Sequence, residues 1–104
     1  MTVSTTTGSL ERLQQLYDSG YTDRFVDNAL RKIVDRQIAR DEADLARLDA
    51  ELQSFELRFG ISTNEFWRQY QSGKLDDTAE FVEWNVFCKM KQRVTERLNI
   101  LREH

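Results

Sequence analysis

Apolar residues recur three and four positions apart through most of this chain and hardly ever alternate. Leu45, Leu48, Leu52, Phe55 and Phe59 keep that spacing over two heptads, and Trp84, Phe87, Val94, Leu98 and Leu101 follow a similar seam that Lys91 interrupts. A stripe of this kind marks one face of a helix, and two such stripes predict two long helices packed along their lengths at a shallow angle. No stretch alternates long enough to predict a strand.

The chain has no proline, and its four glycines, Gly8, Gly20, Gly60 and Gly73, stand alone. Glycine after a helical run stops the helix, because it tolerates the left-handed conformation there. The punctuation predicts a short helix at about 9–19 capped by Ser9, and a long one at about 22–59 capped by Thr22 or Asp23. A third follows at about 62–72, where Ser62 and Glu65 have the spacing of a capping box. The last runs from about 77 to 103 and starts near Asp77, with Glu80 three places on. The fold class expected is all-α: an elongated antiparallel helical hairpin with a short helix at its corner and another at its start.

Eight of the aromatic residues fall between Phe55 and Phe87, where the hairpin turns. Phe66, Trp67 and Tyr70 put one aromatic face on the third helix. That face is expected to plug the open end of the hairpin, with a partner-docking patch as the alternative. The first half of the second helix carries Phe25, Val26, Ala29, Leu30, Ile33, Val34 and Ile38, and the first helix is long enough to fold back over it. These residues still span more than one narrow stripe, and a thin body buries little surface by itself. A homodimer making a four-helix-like bundle is therefore expected. Asp41 interrupts the seam in the polar run "ARDEAD". It reads as a solvated segment or a small shift of the buried face, with a buried polar group that sets register as the sharper alternative.

Composition narrows the classes further. At 104 residues, 39% hydrophobic and 32% charged, the chain suits one helical domain, 1–104, with residues 1–8 as a flexible polar arm. It has no run of apolar residues long enough to span a membrane and no signal-peptide pattern at its start, so a cytoplasmic location is expected. A net charge of −3 argues against direct nucleic-acid binding. Cys88 is the only cysteine and His104 the only histidine, so neither a zinc motif nor a cysteine–histidine pair can be assembled. The carboxylate pairs Glu80–Glu83 and Asp41–Asp44 read as helix-surface acids. Asp27–Arg31 and Asp44–Arg47 read as surface ion pairs. No cofactor, metal or catalytic residue is expected.

The segments "LYDSGYTDRFVDNALRKIVDRQI" and "FELRFGISTNEFWRQYQSGKLDDTAEFVEWNVFCKMKQRVTERL", joined by a charged helix with spaced leucines, carry a resemblance. They resemble small all-helical antitoxin-like proteins of prokaryotic toxin–antitoxin gene pairs. The residues concerned are Phe59, Gly60, Ser62, Glu65, Phe66, Tyr70, Gly73, Asp77, Phe81, Glu83 and Trp84, with the basic helix after them. The resemblance implies a non-enzymatic protein that holds a cognate toxin. It departs from the usual antitoxin plan in having no DNA-reading ribbon-helix-helix or helix-turn-helix element. Candidate partner-binding residues are Phe25, Leu30 and Ile33 on the second helix, Trp67 at the corner, and Lys89, Arg93 and Arg97, which share a face of the last helix. The alternatives are a structural homodimer with no toxin partner and a small-ligand or nucleotide carrier with a pocket around Trp67 and Trp84.

Overall fold

The computed structural model describes residues 5–103 and is all-helical over them. Helix α1 spans Thr5–Asp18, α2 Arg24–Phe59, α3 Thr63–Gln71 and α4 Ala79–Arg102. The described residues divide into two compact units, one ending at Ile33 and the other beginning at Val34. The boundary falls inside α2.

The helix boundaries follow the expected signals with two shifts, at the starts of α1 and α4. α1 begins at Thr5, so Gly8 and Ser9 lie inside it and Ser9 is not its cap. Part of the expected polar arm is thus helical; residues 1–4 lie outside the described residues. Asp23 caps α2, its Oδ1 accepting from the Val26 amide at 3.0 Å. Thr78, not Asp77, caps α4, accepting from the Phe81 amide at 3.2 Å. Asp77 instead accepts from the Tyr70 hydroxyl at 2.8 Å, tying α3 to the loop that follows it. Ser62 caps α3 as expected, accepting from the Glu65 amide at 3.1 Å. The reciprocal half of the capping box is missing, because the Glu65 carboxylate binds Arg68 and Gln69 instead. Gly60 and Gly73 end α2 and α3 with φ of 71° and 78°, a conformation that would strain any residue with a Cβ.

In the C-terminal unit α2 and α4 run antiparallel. Asp41 meets Arg97, Asp49 meets Lys91 and Phe55 meets Trp84, so partners climb one helix as they descend the other. The core lies in two clusters along this seam. Leu48 of α2 packs with Val94 and Leu98 of α4, flanked by Ile38, Leu45, Phe87 and Met90. Toward the corner, Leu52 and Phe55 pack with Phe66 of α3 and Trp84 of α4.

Most of the corner aromatics are core: Phe55, Phe66 and Trp84 are buried with Phe59, Tyr70, Phe81 and Phe87 packed against them, and Trp67 alone stands outside the cluster. Trp84 and Phe66 are both 0% exposed. Their rings stack 4.0 Å apart at 3°, with Phe55 stacked on Trp84 at 5.3 Å. The indole N–H reaches the Thr63 hydroxyl at 3.3 Å, so the ring is buried without an orphaned donor. A two-helix hairpin has no third wall. α3 supplies one with Phe66, which needs only a nine-residue helix because an aromatic ring covers so much area.

The N-terminal unit is built differently. None of its described residues is buried. Tyr17 of α1 donates to Asp27 Oδ1 of α2 at 2.6 Å and sits 6.3 Å, edge-on, from the Tyr21 ring. The expected cover of α2 by α1 is therefore incomplete. Val26, Ala29 and Leu30 are half-buried, but Phe25 is 80% exposed and Ile33 64%.

Candidate functional site

Asp41 is where the sharper of the two sequence readings holds. It is 1% exposed rather than solvated. Arg97 grips it side-on, Nε to Oδ2 and Nη2 to Oδ1, both at 2.8 Å. Gln37, one turn earlier on α2, adds a bond to Oδ1 at 2.9 Å. The Arg97 hydrogen bonds, helped by that of Gln37, outweigh burial and hold the carboxyl below its usual range, while Asp41 raises the already high Arg97 value. A bidentate pair of this geometry permits one register between α2 and α4, because a one-residue slip would bury an unpaired charge.

This assignment removes Arg97 from the expected basic partner face. Lys89 and Arg93 remain exposed on α4, without an ion pair among the described residues. Lys91, the residue that breaks the α4 seam, pairs with Asp49 at 2.8 Å across the hairpin. Glu42 and Arg102 form a further exposed pair. Arg31 donates to Asn28 at 2.8 Å, and Asp27 is engaged by Tyr17 instead.

The C-terminal unit also carries a cleft of about 570 Å³, within the range of ligand pockets. Its long walls are α2 from Asp49 to Glu56 and α4 from Cys88 to Glu96. Ser62, Thr63, Asn64 and Trp67, at the start of α3, close one end. α3 therefore occupies one part of the groove between the long helices, and the cleft is the part it leaves open. Leu52, Cys88 and the half-buried Trp67 ring line it, with Gln53, Gln92 and Thr95 beside them. Of its four charged residues, Asp49 pairs with Lys91, and Glu56 accepts from the Thr63 amide at 2.7 Å. Glu96 is exposed and has no ion pair among the described residues.

Of the two tryptophans named in the pocket alternative, Trp67 lines the cleft and Trp84 is sealed in the core. Burial pushes the Cys88 thiol up to about 11, so it stays protonated near neutral pH. Among the described residues no group of three or more histidine, cysteine, aspartate or glutamate side chains is placed to hold a metal ion. No described helix is long and apolar enough to cross a membrane.

In the N-terminal unit, Phe25 and Ile33 project from α2 into solvent, and Leu30 between them is half-buried. Leu10, Leu16 and Tyr21 are also exposed there. Of the other candidates, Trp67 and Arg97 belong to the C-terminal unit, in the cleft wall and in the half-exposed ion pair with the buried Asp41 respectively. What sequence reasoning missed is the course of the cleft along α2 and α4. Its one legible signal was Trp67, which lies off the Phe66 side of α3 and so has no place in the same plug.

Compared with protein-family models, curated proteins and solved structures, the chain matches none.

Proposed function

We propose that this chain is a non-catalytic helical interaction module, and that its N-terminal unit supplies an apolar surface for a protein partner. The observation that carries the reading is the exposure of Phe25 and Ile33, at 80% and 64%, in a unit with no buried residue among those described. Fully burying two such side chains is worth about 1.5–3 kcal/mol each, which a binding partner can recover and water cannot. Hot spots of protein interfaces are large, well-buried side chains of this kind.

The resemblance to antitoxin-like proteins makes the product of an adjacent gene the first partner to try, a cognate toxin held and neutralised by this surface. Co-expression with that product should give a complex that survives gel filtration, and Phe25→Ser with Ile33→Ser should abolish it without unfolding the C-terminal unit. The reading fails if the chain neither copurifies with its neighbour nor self-associates at the highest soluble concentration. A second copy of the chain is the other occupant worth testing, as a homodimer would cover the same residues. Sedimentation of the chain alone separates the two.

A further inference from the structure

The cleft of the C-terminal unit continues the groove in which α3 already lies, and it has a charge preference. Asp49, Glu56 and Glu96 supply three carboxylates against the single ammonium of Lys91, so the lining carries a net −2. Lys91 is spent on Asp49. Trp67, Leu52 and Cys88 line the same cleft as the carboxylates. An aromatic face and nearby carboxylates both favour a guanidinium, which is planar, weakly hydrated and able to stack and hydrogen-bond at once. They disfavour a phosphate or an acidic peptide equally strongly.

The shape favours a helix as the carrier of that group. Asp49 to Glu56 is about two turns of α2, on the order of 10 Å of wall, and α3 already packs across the α2–α4 seam in the same unit through Phe66. The chain's own α1 does not match in charge, since it has Glu11 and Asp18 against one basic residue, Arg12.

We infer that this cleft docks an arginine-bearing amphipathic helix of a partner protein, with one guanidinium laid on Trp67 beside Glu56 and another reaching Glu96 toward the other end of the cleft. The inference rests on the interaction-module reading and gives the partner's chemistry. It adds a second contact, distinct in residues from Phe25 and Ile33.

The test uses the full chain and two synthetic helices of about 15 residues. One presents leucines with arginines three and four residues apart; the other has glutamates at the arginine positions. Titrations are followed by calorimetry and tryptophan fluorescence. The arginine helix should bind, shift the Trp67 emission and weaken with salt, and the glutamate helix should not bind. Glu96→Lys, at an exposed position, should cut affinity about tenfold or more, and Gln92→Lys should weaken it as well. The inference is overturned if the arginine helix does not bind, if both variants leave its affinity unchanged, or if both helices bind alike. Saturation by spermidine with the same affinity would reassign the cleft to free polyamines, and a change in oligomer mass on Glu96→Lys would reassign it to a second copy; either overturns it. Loss of partner capture on Phe25→Ser with peptide binding intact keeps the two surfaces separable. Peptide failure with Phe25-dependent capture intact sinks the cleft alone.

Discussion

The two units use the same helix to opposite ends. Beyond Val34, α2 buries Asp41, Leu48, Leu52 and Phe55 against α4 and the corner. Before Val34 it holds out Phe25 and Ile33. The local chemistry of the two stretches is similar, since both mix leucine, isoleucine or phenylalanine with charges at helical spacing. What differs is the neighbour. The C-terminal unit has a long antiparallel helix with a matching seam and an aromatic third wall. The N-terminal unit has α1, joined through polar contacts of Tyr17 and Tyr21. Apolar periodicity therefore makes a core only where a second stripe lies opposite, and elsewhere it leaves the apolar residues exposed.

Hydrogen exchange is the broadest way to break this comparison. Amides of α4 around Val94 and Leu98 should be protected more than about a hundredfold better than those of α1, because local opening costs least where no residue is buried. Equal protection would mean that the N-terminal unit has cover not visible in its own contacts.

Among substitutions, Trp84→Ala should have the largest effect, about 3–5 kcal/mol, because the ring stacks on Phe55, Phe59 and Phe66 at once. That is a large share of the stability of a small domain, so denaturant melts should show the variant largely unfolded. A cost near that of an exposed substitution would deny the corner its role.

Arg97→Ala should come next, since it leaves the Asp41 carboxylate, 1% exposed, without its main partner, whereas Arg97 itself is half exposed and can turn to water. Replacing both partners with apolar residues should recover much of the loss. The same pair sets a pH dependence. The Asp41 carboxyl is lowered in the folded state, chiefly by Arg97, so its contribution is complete above the usual carboxylate range, near about pH 4, and is lost as pH falls through the lowered folded value. Acid melts should show a drop in that window that Asp41→Asn removes.

Gly73→Ala should cost about 1 kcal/mol, all of it from φ, as a Cβ there meets nothing within 4 Å. Thermal melts read this directly. The smallest effect on stability belongs to Phe25→Ser with Ile33→Ser, within about 0.5 kcal/mol each, although partner capture should be lost. A large loss of stability there would mean that these side chains serve folding rather than association.

Much of the fold was legible in the chain itself. The stripes at Leu45–Phe59 and Trp84–Leu101, the stops at Gly20, Gly60 and Gly73, and the cap at Ser62 name the helices and pair the two long ones, because spacing and left-handed tolerance are local properties. The caps at Asp23 and Thr78 sat within a residue of the expected signals, while the start of α1 was missed, as Gly8 stands inside a helix that threonines begin. Of the candidate site, Phe25 and Ile33 were legible as apolar residues in excess of one stripe.

What spacing could not decide was which polar residues meet across the hairpin. Asp41 and Arg97 lie 56 positions apart, and nothing near either one distinguishes a bidentate pair on a buried carboxylate from two solvated charges. The same holds for the cleft, which exists because α3 is shorter than the groove it lies in. Helices, stops and stripes are written in residues that touch along the chain. Register, the fate of Arg97 and the open part of the groove depend on distances between helices, and only the packed structure sets those.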